Sequence, residues 1–307
     1  MFNHNFLKPG VYIKHDNCYM RLSDVYDNKV CHGLSHSKLI TKIYFILNNL
    51  YFVFSSQESF IFLRLTSNKE ILLMTEGFVE RRSKLSNIPT KEYCKARLKY
   101  ASHIPTPIFC LDENSNIIRE KRVKGRCLQN LQSSLIQDVF WKFARLYEEY
   151  SKYPIKSNAV DSIIMTKISV FITHYSKFDY TSLAWVYSHG DLSPKNIFIL
   201  KNEDISVIDI EPKHMIKRPY WYDPVYFIFS SSMDPSIRNG LLRDYMKMTF
   251  RVVNLTVECL RELILCFSYL KIFLTFDSIA LAKYQESEVI EVVQQEQRIL
   301  ERCFGIV

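Results

Sequence analysis

The rhythm of apolar and polar positions changes twice along this chain. Between residues 41 and 82, the short apolar runs "TKIYFIL", "LYFVFS", "SFIFLRLT", "EILLMT" and "FVERR" are broken by polar turns such as "SSQES", "TSNKE" and "EG". Their length and their Phe, Tyr, Ile and Val content predict strands. "PTKEYCKARLKYASH" then runs without a breaker and predicts a helix, with Pro89 and Thr90 as its start signal and Pro105 and Pro107 closing it. Two further strands are predicted at "PIFCLD" and "NIIREKRV", joined by the turn-forming "ENS".

After "KGR" at 124–126 the period lengthens. "SSLIQDVFWKFARLYEEYSKY" and "AVDSIIMTKISVFITHYSKF" carry apolar residues at helical spacing. "VYSHGDLSPKNIFIL" and the later "VIDIE" read as strand, loop, strand, loop. From residue 223 the pattern is helical again and ends in the charged "YQESEVIEVVQQEQRILERC". No internal repeat or low-complexity tract interrupts it. The fold class expected is α+β: a small β-rich N-terminal lobe over residues 1–124, then a larger, mostly helical lobe over 125–307.

Composition narrows the class. The 307 residues are 48% hydrophobic, enough for a sizeable core. Forty basic against 32 acidic side chains give a net charge of +8, which suits an anionic ligand or surface and equally a solvated lysine-rich exterior. No basic stripe with interleaved aromatics is present, so nucleic acid is not an expected partner. None of the eight cysteines forms a CxxC pair or sits at metal-finger spacing with histidine, and a reducing compartment fits them best. "MFNHNFLKPGVYIKHDN" lacks a signal-peptide core, so a cytoplasmic location is expected. "LILCFSYLKIFLTF" is shorter than the ~20 apolar residues of a membrane span and is interrupted by Lys271. It reads as a buried helix, with a peripheral contact at the inner face of a membrane left open.

The chemistry concentrates where short apolar runs end in Asp191, Asn196 and Asp209. Carboxylates joined by a side-chain amide suit a hard cation with oxygen ligands. Mg²⁺ keeps several waters and takes one or two carboxylates plus substrate phosphates, a sparse set that Asn196 and Asp209 could supply. Asp191 could then accept or orient the proton of an attacking hydroxyl. Gly190 permits a sharp turn before it, and Pro194 stiffens the loop. The apolar runs "IFIL" and "SVI" predict a hairpin with Asn196 and Asp209 at opposite ends of its ladder.

"HGDLSPKN" together with "IDIE" resembles the catalytic segment of the kinase-like phosphotransferases. Within them it looks most like the aminoglycoside phosphotransferase and choline kinase branch, which includes bacterial kinases of lipopolysaccharide sugars. Protein kinases carry His-Arg-Asp with a Lys two residues on, and Asp-Phe-Gly at the metal site. This chain has Gly190, Ser193 and Asp209-Ile210-Glu211 instead, which points toward small-molecule or glycan acceptors. The resemblance implies a bilobal protein-kinase-like fold, ATP as co-substrate and Mg²⁺ as cofactor. It implies Asp191 as catalytic base, Asn196 and Asp209 as metal ligands, and His189 as a support of the loop. Asp223, in "YWYDPVYF", falls where such proteins brace that loop, or it caps a helix. Lys195 is near enough to touch a phosphate or simply faces solvent, and Glu211 reads as structural.

In the N-terminal lobe the family pairs a strand Lys with a helix Glu to grip the ATP phosphates. Glu92 suits the Glu, and "IPTP" resembles the segment that follows this helix in aminoglycoside phosphotransferases. The strand Lys has no plain counterpart: Arg82 or Arg81 is the first choice, with Lys84 and Arg64 also in range. An Arg holds phosphates as a rigid fork, which differs in geometry from Lys. No GxGxxG loop occurs, leaving "SSQES" or "TSNKE" as phosphate covers. Gly125 falls at the hinge whose backbone would meet adenine, or in an ordinary β-to-helix turn. The expected activity is ATP- and Mg²⁺-dependent phosphorylation of a hydroxyl on a small molecule or glycan, such as a lipopolysaccharide or other cell-surface sugar. A non-catalytic nucleotide-binding scaffold is the main alternative, and a Ser/Thr protein kinase the weaker one.

Overall fold

The structure is a computed structural model that describes residues 10–15, 18–23, 62–65, 71–74, 77–82, 90–112, 117–155, 184–210, 215–252, 254–275 and 286–305. The expected strands within 41–55, the expected helix over 159–178, both candidate phosphate covers, Lys84 and Glu211 lie outside these residues. The chain divides into two compact units. One comprises Met1–Cys94 with Pro107–Val123, the other Lys95–Thr106 with Lys124–Val307.

Among the described residues the first unit forms a seven-stranded antiparallel sheet in the order β2-β1-β3-β4-β5-β7-β6. Its strands are β1 (Gly10–His15), β2 (Cys18–Ser23), β3 (Phe62–Leu65), β4 (Ile71–Met74), β5 (Phe78–Arg82), β6 (Phe109–Asp112) and β7 (Ile117–Lys121). β3 to β7 fall inside the runs that the sequence pattern marks as strands. The β1–β2 hairpin was not anticipated; it extends the sheet by pairing β1 with β3. At its heart Glu80 of β5 is wholly buried and lies directly across the ladder from Arg119, whose Nε donates to its Oε2 at 2.7 Å. A carboxylate without water needs such a partner.

Helix α1 (Thr90–Ala101) follows β5, and the division between the units falls within it, after Cys94. The second unit is mostly helical: α2 (Ser133–Ser151), α3 (Tyr222–Ser230), α4 (Pro235–Phe250), α5 (Val257–Thr275) and α6 (Glu286–Cys303). α2 buries Ile136, Val139, Phe140, Phe143, Ala144, Tyr147 and Tyr150, an i, i+3, i+4, i+7 stripe that dictates one inward face. Each fully buried Phe of that stripe contributes about 1.5–3 kcal/mol relative to exposure. Phe140 packs its ring against Phe227 of α3 and Tyr245 of α4, with centroids 5.7 and 5.5 Å away. α5 is the apolar segment read as a buried helix, and it lies against α6, where Lys271 pairs with Glu296 at 2.5 Å. Among the described residues no helix is long and apolar enough to cross a membrane.

Short strands carry the motif: β8 precedes α2, and β9 to β12 fall between α2 and α3. β8 (Arg126–Cys127), β10 (Ile197–Ile199) and β11 (Ile205–Val207) form a three-stranded sheet in the order β11-β10-β8. β9 (Trp185–Tyr187) pairs with β12 (Lys217–Pro219) in a separate two-stranded sheet. The loop between β9 and β10 is held at both ends by sheet and closes through a 3₁₀ turn at Pro194–Asn196.

Candidate active site

The β10–β11 hairpin pairs Ile197 with Val207 and Ile199 with Ile205. In an antiparallel hairpin, the residue before the first strand and the residue after the second share the open end. Asn196 and Asp209 therefore sit at the same end of the ladder, and the expectation of opposite ends is corrected. The Ile208 N–H donates to the Asn196 carbonyl at 2.8 Å and extends the ladder one step toward Asp209. Asp209 itself has a left-handed backbone, φ 59°. Non-glycine residues rarely adopt that region, Asp and Asn more readily than most.

Asp191 is drawn to this end by two links. The Asn196 side-chain amide donates to the Asp191 carbonyl at 2.8 Å. His189 receives the Asp191 N–H on Nδ1 at 3.3 Å, which leaves Nε2 as the donor to the Ile208 carbonyl 2.9 Å away. One imidazole thus fastens the residue before Asp209 to the residue that carries the candidate base. The Asp191 carboxylate is 30% exposed and lies 3.5 Å from Lys195 Nζ. Lys195 projects into solvent, and such an exposed pair is worth little.

Asp223 anchors the loop from beneath. It is 1% exposed, and its Oδ1 accepts from the Gly190 N–H at 2.9 Å and the Ser188 hydroxyl at 2.7 Å. Its Oδ2 accepts from the His189 N–H at 2.7 Å and the Tyr147 hydroxyl at 2.6 Å. The alternative of a helix cap fails on position: the residue before α3 is Trp221, which makes no side-chain cap, and Asp223 already lies in the first turn. Arg218 of β12 completes the underside. Its guanidinium lies beside Gly190 and 4.9 Å over the Tyr222 ring.

Gly125 stands immediately before β8, where a Cβ would meet the Ile199 carbonyl oxygen at 2.4 Å. Only glycine allows that backbone approach. The neighbouring Cys127 points its thiol at the Lys195 carbonyl, 3.5 Å away. In the other unit, Glu92 is exposed in the first turn of α1, and Arg81 and Arg82 occupy adjacent positions of β5, paired with Ile118 and Ile117 of β7. The side chains of Arg81, Arg82 and Arg64 lie outside what the structure describes.

Sequence reasoning missed Tyr226, which lies close enough to Asp191 to feel its carboxylate. Burial first, then the interaction with Asp191, raises its pKa above the ordinary tyrosine range. The signal available was its spacing, three residues beyond Asp223 on one face of α3. Tyr100 and Tyr147 were also missed. Their hydroxyls lie 2.9 Å apart, and both side chains are wholly buried.

The donor set fits a divalent ion in kind. Among the described residues no group of three or more His, Cys, Asp or Glu is placed to hold a metal. What the hairpin end offers is sparser: one carboxylate and one amide. The Asn196 amide spends its N–H on the Asp191 carbonyl, so its oxygen is the atom left to face a cation. That is the ligand economy of Mg²⁺ rather than of a structural metal.

No family model matches the chain, and no curated protein matches it. Solved structures similar to it include a choline/ethanolamine kinase family protein from Mesorhizobium loti, at 10% identity and TM-score 0.41, covering 83% of this chain and 92% of that one. The choline kinase LicA from Streptococcus pneumoniae is 11% identical with TM-score 0.43, covering 77% and 91% respectively. The macrolide 2'-phosphotransferase MphH from Brachybacterium faecium is 13% identical with TM-score 0.42, covering 76% and 88%.

Proposed function

We propose that this chain is an ATP- and Mg²⁺-dependent phosphotransferase that phosphorylates a hydroxyl of a small molecule or glycan. Lipopolysaccharide and other cell-surface sugars are the first acceptors to test. The observation that supports this reading is the knot at the open end of the β10–β11 hairpin. Asn196 holds the Asp191 backbone, and His189 joins Asp191 to the residue before Asp209. A purely structural loop has no need to tie a part-exposed carboxylate to an asparagine amide and to the residue before a second aspartate.

Asp191 takes the proton of the acceptor hydroxyl as its oxygen bonds to the γ-phosphorus and the bond to the ADP oxygen breaks. Tyr226 and Lys195 lie beside that carboxylate. Asn196 and Asp209 would hold Mg²⁺, which would neutralise charge on the phosphate oxygens. Catalysis here is positioning and charge balance, which explains why so many bonds go to fixing one short loop.

A nucleotide-binding scaffold without turnover is the second reading, favoured by β5, whose "FVERR" offers arginines where a phosphate-gripping Lys is expected. Screening the purified protein for Mg²⁺-dependent ADP release against sugars, glycans, aminoglycosides and choline-like alcohols separates the two. Acceptor-stimulated ADP release supports the enzyme. Mg-ATP binding with no release from any acceptor class supports the scaffold.

A further inference from the structure

We infer that Tyr147 and Tyr100 are positioning residues that hold the Ser188–Asp191 loop through Asp223 and make its placement depend on helix α1. The inference rests on the reading of Asp191 as the base. Tyr147 has one hydroxyl proton and gives it to Asp223 Oδ2, 2.6 Å away. Only an oxygen lone pair then remains for Tyr100, so the chain runs in one direction, from Tyr100 to Tyr147 to Asp223. The same carboxylate receives the N–H groups of His189 and Gly190 and the Ser188 hydroxyl. One side chain therefore joins three consecutive loop residues to α2, and through Tyr147 to α1.

Packing alone does not call for these hydroxyls. Phenylalanine would fill either site, and a buried hydroxyl costs free energy unless it is bonded. Burial, and then the Asp223 charge, push both tyrosines well above their ordinary pKa, so both stay protonated donors. α1 is fixed at a second point: beyond its end the Pro105 carbonyl accepts from the Val207 N–H of β11 at 2.8 Å. The end of α1 and the segment after it thus touch both parts of the site, the loop through the tyrosines and the hairpin through Pro105.

The test uses the full chain with Tyr147→Phe, Tyr100→Phe, the double variant, and Phe143→Leu as a control from the buried face of the same helix α2. Two readouts are needed. The first is Mg²⁺-dependent ADP release with Mg-ATP affinity measured separately, and the second is amide hydrogen exchange at residues 188–191 against the rest of the chain. Tyr147→Phe should lower turnover by about tenfold and leave Mg-ATP affinity within about twofold. Tyr100→Phe should give a smaller loss that disappears when Tyr147 is already Phe. Both should speed exchange at the His189 and Gly190 amides, and Phe143→Leu should not do so selectively.

Unchanged exchange at 188–191 in Tyr147→Phe overturns the inference. So do additive losses in the double variant, or exchange that rises equally everywhere, as a merely structural role would give. If Tyr147→Phe does not fold, Tyr100→Phe carries the same readouts. Should the wild-type chain release no ADP, the proposed enzyme falls, and the exchange measurement alone still decides the relay.

Discussion

The Arg218 guanidinium fills the space that a side chain at Gly190 would need: a Cβ built there lies 2.7 Å from Nη1 and 2.9 Å from Cζ. Gly190 also holds φ at +77°, where residues with a Cβ are strained. Arg218 is 1% exposed and rests on Tyr222, so it has no open route out of the way. Gly190→Ala is expected to destabilise by about 1–3 kcal/mol from backbone strain, with the clash added. Urea unfolding measures the sum. Adding Arg218→Ala should recover the steric part alone, and complete recovery would mean the backbone term is nil.

The proposed base and the proposed metal ligands differ in which measurement they move. Asp191→Asn should lower acceptor phosphorylation by about 10²-fold or more while Mg-ATP binds almost as before. Asp209→Ala should weaken the dependence of ATP binding on Mg²⁺, read by calorimetry across a Mg²⁺ series. A near-normal rate for Asp191→Asn would remove the base, and an unaltered Mg²⁺ dependence for Asp209→Ala would remove that ligand.

Asp223→Asn isolates the buried carboxylate. Its two oxygens accept four hydrogen bonds, two of them from backbone N–H groups that cannot turn away. An asparagine supplies one oxygen and sets an NH₂ against the other pair, leaving a backbone donor unmet. The expected cost is about 1–3 kcal/mol of stability, by denaturant titration. Loss of activity should exceed what the unfolded fraction accounts for.

A pH prediction comes from the start of α4. Asp234 caps that helix, taking the Ser236 N–H at 2.8 Å and the Ser236 hydroxyl at 2.6 Å, and these bonds lower its pKa. The folded value lies below the unfolded one, so the stabilisation is complete above the ordinary carboxylate range. It is lost as pH falls through the folded value. Asp234→Ala should therefore lower the melting temperature at pH 7, and the gap between variant and wild type should close in strong acid.

Local pattern carried much of this reading. The strands β3 to β7, the helices α1, α2, α5 and α6, and the loop-and-hairpin order around Asp191, Asn196 and Asp209 all follow from periodicity and breakers within a short window. What escaped depends on distance in the chain. β12 is Lys-Arg-Pro, with no strand pattern, and exists because its backbone pairs with β9. Tyr100 and Tyr147 are, in sequence, ordinary members of apolar helix faces. Their hydroxyls acquire meaning only when Asp223, 76 residues after Tyr147, arrives beneath them. The same-end placement of Asn196 and Asp209 was within reach, since it follows from the antiparallel register of any hairpin. Glu80 was passed over for its neighbours Arg81 and Arg82 because a glutamate on a strand reads as surface until its burial is seen.

The bond from Val207 to the Pro105 carbonyl has a practical consequence for dissecting this protein. A fragment beginning near Gly125 would leave behind both Tyr100 and Pro105. β11 would then stand as a bare edge strand with an unanswered amide, a template for self-association. Truncations meant to isolate the second unit should start upstream of α1, and a split-protein pair is better divided at the polar turn joining β10 to β11.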